Sequence, residues 1–268
     1  MRVAIIGCGF IGTGLALTAD SMPEVKRIYL FDMDTAAADR LAAKTKKGIV
    51  ISSVEEELYH CDLVIEAASQ DAARTYAPVV VERGVSMMIM SVGALVDDDF
   101  RNAVFEKASK TESCIYIPSG AVCGVDGLRA ARGDDLEYVE LITTKAPRSL
   151  ENIPYVLEKG IVVDDLKEKT VIYSGTAREA VKYFPKNINV AATVSLFGIG
   201  FDRTKVTIAV DPAIKINSHE LRYKGAFGET ICHTYNVPSP ENPRTSYLAA
   251  LSANHAFKSL VKNVWIAL

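Results

Sequence analysis

An excess of basic charge is missing from this sequence. Its 30 Lys and Arg residues are outnumbered by 33 Asp and Glu, for a formal net charge of −3 and a pI near 5.9. Neutralising a phosphate backbone needs the opposite balance, so no nucleic-acid partner is expected. Cysteine is scarce as well. Cys8, Cys61, Cys114, Cys123 and Cys232 are odd in number, widely spaced and without a CxxC pair. They suggest neither a disulfide framework nor a metal site, and a reducing cytoplasm is the expected setting. Apart from the first 17 residues, no uncharged apolar run approaches a membrane span, so no membrane partner is expected. Repeats and low-complexity tracts are absent too. What remains is the composition of an ordinary soluble globular protein, 49% hydrophobic and 24% charged. Its 268 residues suffice for one large domain or two modest ones.

The exceptional stretch is Val3–Leu17, nearly all apolar and preceded by Arg2. A basic start before an apolar core also describes a secretory leader. Four glycines (Gly7, Gly9, Gly12 and Gly14) argue against that, because glycine is a poor helix former. Gly7-Cys8-Gly9-Phe10-Ile11-Gly12 matches GxGxxG between a β-rich run, Val3–Ile6, and a helical one, Ile11–Ala19. Glycines at this spacing permit a tight turn and close approach of backbone to a pyrophosphate, which the helix N-terminus then receives. The next strand, Lys26–Phe31, ends at Asp32, 20 residues past Gly12, where a dinucleotide fold needs a carboxylate for the ribose hydroxyls. That carboxylate repels a 2′-phosphate, and Met33-Asp34-Thr35 supplies no arginine. NAD is therefore favoured, with NADP left open.

Strands and helices continue to alternate: a helix over Thr35–Lys46, strands at Asp62–Ala67, Ser86–Met90 and Cys114–Ile117, helices at Gln70–Glu82 and Asp97–Lys110. Such alternation builds a parallel sheet from βαβ units. Ala67-Ala68 and Ser91-Val92-Gly93 follow strands at their carboxyl ends, where open α/β sheets bind ligands. The pattern changes near Gly120. Leu136–Thr144, Lys205–Val210, Lys215–Tyr223 and Phe227–Asn236 are longer β-rich runs. Turn signals between the last three predict an antiparallel meander, interrupted elsewhere by helices at Ile153–Lys159, Ala177–Tyr183 and Asn189–Phe197. A Pro-rich linker, Pro238–Pro243, precedes an amphipathic helix over Ser246–Trp265, with Ala250, Ala253, Phe257, Leu260, Val261 and Val264 on one stripe.

The expected architecture is α/β: a Rossmann dinucleotide-binding domain over 1–120, completed by the 246–268 helix, followed by an α+β domain over 121–245 with a mainly antiparallel sheet. Within the second domain, alternation puts Lys215, Asn217, His219 and Leu221 on one strand face. A histidine there can exchange protons near neutral pH. Asn189 suits either a helix N-cap or an amide ligand. Gly198–Lys205 is a charged turn that could meet an anionic substrate or merely pair with itself.

These segments resemble the L-aspartate dehydrogenase family. The resemblance spans most of the chain through GCGFIG, SVGAL, SGAVCGVDGL, FPKNINVAATVSLFGIGFDRT and INSHELRYKGAFGE, the last three being the more specific. It implies a Rossmann domain for NAD or NADP and an α+β domain for substrate and for a homodimer contact. It also implies that Ala121 and Asn189 contact the cofactor and that His219 is catalytic. The implied reaction oxidises L-aspartate to iminoaspartate, which water converts to oxaloacetate and ammonia, a step associated with NAD biosynthesis. Two substrate carboxylates need cationic or amide partners, for which Lys215, Arg203 and Asn217 are the candidates by sequence proximity. A homoserine-dehydrogenase-like enzyme is the alternative, and a non-catalytic NAD sensor is a second. The exposed face of a meander sheet also leads to the expectation of a homodimer.

Overall fold

The computed structural model describes residues 1–133, 136–151, 153–184, 189–239 and 246–262. The chain forms two compact units, Met1–Pro118 joined by the final helix from Ala250 onward, and Ser119–Ala249.

The first unit runs β1 (Arg2–Ile6), α1 (Phe10–Ser21), β2 (Arg27–Phe31), α2 (Thr35–Ala42), β3 (Gly48–Val50), α3 (Val54–Glu57), β4 (Leu63–Glu66), α4 (Gln70–Glu82), β5 (Ser86–Ile89), α5 (Asp98–Lys110) and β6 (Ile115–Tyr116). Its six strands are all parallel, in the order β3-β2-β1-β4-β5-β6. Strands covered by helices on both faces are apolar throughout, as in the VAII of β1 and the LVI of β4. Short polar side chains start the helices. Asp34 accepts from the Ala36 N–H, Ser69 from Ala72 and Asp97 from Phe100, at 3.0–3.1 Å.

The second unit contains α6 (Val125–Ala131), β7 (Leu136–Lys145), α7 (Pro154–Glu158), β8 (Thr170–Thr176), α8 (Ala177–Tyr183), α9 (Asn189–Phe197), β9 (Lys205–Val210), β10 (Asn217–Gly225) and β11 (Gly228–Asn236). The sheet order is β11-β10-β7-β9-β8. The expected three-strand meander does not form. Only β10 and β11 make a hairpin, whereas β9 lies parallel to β7 and antiparallel to β8. The long connection from β7 to β9, carrying α7, β8, α8 and α9, is the crossover that parallel pairing requires. The sheet is thus mixed, with three antiparallel pairings and one parallel. Strand β10 also begins later than expected, at Asn217, leaving Lys215 in the preceding bend.

The chain's final helix, α10 (Tyr247–Lys262), returns to the first unit. Ala253 and Phe257 are fully buried beside Val3, Ile5, Leu15 and Ala19, and Thr18 donates its hydroxyl to Asn254 Oδ1 at 2.8 Å. Of the predicted stripe, Val264 lies outside the described residues, as do positions 240–243 of the Pro-rich linker and the end of the expected helix beyond 262.

Candidate active site

In the first unit the strand order reverses between β1's two neighbours, β2 and β4, and the glycine turn lies at that switch point. Gly7 has φ +97°, and a Cβ on it would sit 2.7 Å from the Ala67 carbonyl oxygen. A Cβ on Gly12 would lie 1.8 Å from the Gly7 oxygen. Both positions therefore exclude any larger residue. Gly9 is different: it is exposed, caps α1, and a Cβ there would meet nothing within 4 Å. The turn leaves an open cradle before a helix N-terminus begun by Phe10 and Ile11, which fits the pyrophosphate of a dinucleotide.

Asp32 ends β2 and ties this turn in place. Its Oδ2 accepts the Cys8 N–H at 2.7 Å and its Oδ1 the Asp34 N–H at 2.9 Å. Each oxygen keeps a further lone pair, so the carboxylate can still receive ribose hydroxyls. Across the switch point, the half-exposed Ala67 and exposed Ala68 follow β4, while Ser91 and Gly93 are buried after β5. Glu66, wholly buried, holds both turns together. Its Oε1 accepts from the Ala68 N–H and the Ser91 hydroxyl, each at 2.8 Å, and its Oε2 accepts the Ser91 N–H at 2.9 Å. Burial pushes the Glu66 carboxyl upward, against the pull of these hydrogen bonds.

In the second unit, chemistry gathers on one face of the sheet. His219 on β10 stands directly opposite Thr143 on β7, with Thr143 Oγ1 3.0 Å from Nδ1. Two residues along β7 and on the same face is Lys145, only 7% exposed. Thr143 and Lys145 line a small cavity with Val206 and Ile208 from β9, Phe184 and Ala191. Burial, followed by the nearby Lys145 charge, pushes His219 down to about 3, and burial pushes Lys145 down to about 8.

The segment before α6 is bonded to the β10–β11 side of this face. Asn236 Nδ2 donates to the Ala121 carbonyl at 2.8 Å, the Cys123 N–H to Thr234 Oγ1 at 3.2 Å, and the Tyr223 hydroxyl to the Gly124 carbonyl at 3.1 Å. The Ala121 bond orients the Asn236 amide and leaves its buried Oδ1 without a hydrogen-bond partner among the described residues. Asn217 pairs with Asn236 across the hairpin. Asn189, exposed, is the first described residue of α9, and Ala191, two residues on, lines the cavity. Residues 185–188, which carry the start of the KNIN motif, lie outside the described residues.

Two expected substrate ligands are not brought here. Arg203 is exposed and donates to the Leu136 carbonyl at 3.1 Å, at the opposite end of β7 from Lys145. At ~3.3 Å per strand residue, those ends are roughly 30 Å apart. Lys215 is exposed in the bend before β10. The charged turn is tied to α8, Arg178 gripping Asp202 through two bonds of 2.5 and 2.8 Å. Among the described residues, no three His, Cys, Asp or Glu come together as a metal site would require.

Family models match both parts of the chain: residues 7–118 match the NAD-binding domain of homoserine dehydrogenase, and 126–260 the C-terminal domain of aspartate dehydrogenase. The L-aspartate dehydrogenase of Methanosarcina mazei is 44% identical over 99% of both chains. The chain belongs to the L-aspartate dehydrogenase family. The Methanothermobacter thermautotrophicus member is 43% identical over 99% of this chain and 98% of its own. The solved aspartate dehydrogenase of Thermotoga maritima superposes with a TM-score of 0.74 at 27% identity, covering 100% of this chain and 98% of that one. A hyperthermophilic archaeal homoserine dehydrogenase, at 13% identity and TM-score 0.59, shares the fold.

Within this family framework, sequence reasoning missed four residues: Glu66, Thr143, Lys145 and Asn236. Signals for two were present. A glutamate inside the buried run DLVIEA is out of place unless bonded, and Lys145 has the inward parity of Leu141 and Thr143.

Proposed function

We propose that this protein is an NAD(P)-dependent L-aspartate dehydrogenase, releasing oxaloacetate and ammonia from L-aspartate by way of iminoaspartate. The observation that carries it is the buried His219–Thr143 pair on a sheet face that also bears Lys145, Asn217 and Asn236, in a chain whose family relatives match along its whole length. Gly7, Gly9 and Gly12, with Phe10 and Ile11, would hold the pyrophosphate, Asp32 the adenosine ribose, and the turns at Ala67-Ala68 and Ser91–Gly93 the nicotinamide half. Ala121 and Asn189 are the second unit's proposed contacts to it. When bound, the nicotinamide supplies the hydride acceptor.

The chain's own residues govern the proton. An amino acid arrives as an ammonium ion, whose nitrogen must lose a proton before its lone pair can drive hydride from the adjacent carbon. With Thr143 accepting the Nδ1 proton, His219 presents the Nε2 lone pair to that ammonium. The bare Oδ1 of Asn236 is an acceptor for a second ammonium N–H. Asn217 is the proposed amide ligand for a carboxylate. Hydrolysis of the imine then needs one water; once His219 has released the substrate's proton to solvent, it can take the proton that water sheds and pass it to the departing amine.

NAD is the proposed physiological cofactor. Asp32 and Asp34 together present two carboxylates at the end of β2, and both oppose a 2′-phosphate. The proposed setting is the cytoplasm, in keeping with the free cysteines, and the imine would feed NAD biosynthesis. We also propose a homodimer through the sheet face opposite His219, where Tyr138, Ile231 and Tyr235 are 38, 49 and 69% exposed.

The deciding assay follows NADH formation with L-aspartate, with homoserine and with no amino acid, for the wild type and His219→Ala. Turnover on aspartate alone, lost in His219→Ala while NADH still binds, is expected. Turnover on homoserine would favour the sister activity. Tight NADH binding with no turnover would favour a sensor, and full activity in His219→Ala would remove the histidine from the mechanism.

A further inference from the structure

The chain's five cysteines are all free, and two of them meet. Cys123 precedes α6 and Cys232 lies in β11, yet their thiols are hydrogen-bonding neighbours. The approach is built into the backbone. Gly124 has φ +78°, and a Cβ on it would stand 2.4 Å from the Cys232 sulfur, so only glycine lets the segment before α6 pass this close. The Cys123 sulfur lies 3.0 Å from Thr234 Oγ1 and 3.6 Å from the His233 carbonyl oxygen. Cys123 is exposed and Cys232 half-buried, on the sheet face away from the proposed homodimer contact, so a small oxidant reaches the pair. The other three, Cys8, Cys61 and Cys114, belong to the first unit. From the thiol pair a run of contacts leads to the proposed site. Cys232, Thr234 and Asn236 succeed one another on the inward face of β11, opposite Leu221, His219 and Asn217 of β10. Over them, the Cys123 N–H and sulfur engage Thr234, and the Ala121 carbonyl holds the Asn236 amide.

We propose that Cys123 and Cys232 are a site of reversible oxidation, joined as a disulfide by a hydroperoxide, and that the bond slows the dehydrogenase by drawing Ala121 away from Asn236. The linkage stands apart from the dehydrogenase reading above; its effect on turnover rests on it. The exposed Cys123 thiolate attacks the O–O bond of the peroxide, gaining an S–O bond while the other oxygen leaves as water. The Cys232 thiolate then attacks the Cys123 sulfur. The S–S bond forms and the S–O bond breaks, releasing a second water. Two thiols thereby lose two protons and two electrons, and one peroxide becomes two waters. A dithiol reductant reverses the change. A disulfide needs its sulfurs ~2.0 Å apart, closer than thiols in hydrogen-bonding contact, so Cys123 must move from Thr234 toward Cys232. That is one step along β11 away from Asn236. Ala121, two residues before Cys123, is carried the same way. Its carbonyl slackens on Asn236 Nδ2, and the amide loses its fixed orientation.

The test treats the full chain with hydrogen peroxide. Peptide mass mapping should find Cys123 joined to Cys232, kcat/KM for aspartate should fall ~10-fold or more, and dithiothreitol should restore it. In NMR the Asn236 side-chain amide should shift on oxidation and return on reduction. Cys123→Ser keeps a hydroxyl beside Thr234, so it should match the reduced wild type in turnover and withstand peroxide. Cys232→Ser, the second variant should the first fail to fold, should leave a Cys123 sulfenic acid open to trapping by a 1,3-dione. Failure of the two cysteines to link in the wild type would overturn the proposal. So would a linkage that leaves turnover or the Asn236 amide unchanged, or a loss of activity in peroxide-treated Cys123→Ser as deep as in the wild type. The linkage and the amide are read without turnover, so a wild type inactive on aspartate would count against the dehydrogenase reading alone.

Discussion

Ser91 gives both its backbone N–H and its hydroxyl to the carboxylate of Glu66, at 2.9 and 2.8 Å, across the ends of two adjacent parallel strands. With the Ala68 N–H also on that carboxylate, one buried acid sets the spacing of the two turns proposed for the nicotinamide half. Glu66→Gln replaces one acceptor oxygen by a donor and leaves at least one buried N–H or hydroxyl unsatisfied. Stability should fall by about 1–3 kcal/mol in urea denaturation. NADH affinity, read by nucleotide fluorescence, should weaken with it. A variant that keeps both would show that the turns hold themselves.

Gly9 and Gly12 should respond to alanine in opposite ways. A Cβ at Gly12 strikes the Gly7 carbonyl, so Gly12→Ala should disrupt the turn and lower the melting temperature. At Gly9 the added methyl meets no protein atom, and φ is an ordinary −72°. Gly9→Ala should cost no more than about 1 kcal/mol of stability. It should nevertheless weaken NADH binding ~10-fold or more, because the methyl occupies the proposed pyrophosphate approach. Unchanged NADH affinity in Gly9→Ala would move the phosphate site elsewhere.

His219 and Lys145 make stability depend on pH. Unfolded, a histidine binds its proton below about 6.5, whereas folded His219 refuses it until about 3. Between those values the unfolded state holds the extra proton, so stability should fall as pH drops from about 6.5 toward 3, and His219→Gln should flatten that slope. Lys145 follows the same rule higher up, between about 8 folded and 10.5 unfolded. Below pH 8 the folded protein carries the buried ammonium at full cost. Lys145→Met should therefore be more stable at pH 7, by on the order of 3 kcal/mol. Calorimetry across pH 4–10 (about the range in which these bases titrate) reads both effects, and a Lys145→Met protein less stable than wild type at pH 7 would contradict this account.

Thr143 touches His219 but no reacting atom in the proposed scheme, so it is a positioning residue. Thr143→Val should lower kcat by ~10- to 100-fold, with little change in NADH affinity, and Thr143→Ser should restore most of the rate. Equal losses in the valine and serine variants would point to the lost methyl packing instead of the hydroxyl.

Much of the first unit was legible because its signals are local. GxGxxG, the strand ending at Asp32 and the capped helices each declare themselves within a few residues. The second sheet was less legible because its decisive pairings are not local. Turns near Asp211-Pro212 and Lys224-Gly225 look alike in sequence, yet only the second closes a hairpin; the first releases β9 to lie beside β7. Lys145 was passed over because a charge at the end of an apolar run usually marks where a strand meets water. Here the strand continues inward through that residue, and only its parity with Thr143 betrays the burial. Arg203 shows the converse: near in sequence to motif residues, it lies at the far end of the strand that carries Lys145.

The return of α10 to the first unit has a consequence for biosynthesis. Ala253 and Phe257, which follow the second unit in the sequence, fill a core that begins with Val3 and Ile5. On the ribosome the nucleotide-binding sheet must therefore wait, its last hydrophobic layer uncovered, until the whole intervening unit has been synthesised. The order of translation and the order of completed folding are reversed: the unit whose synthesis begins before the other's is completed after it.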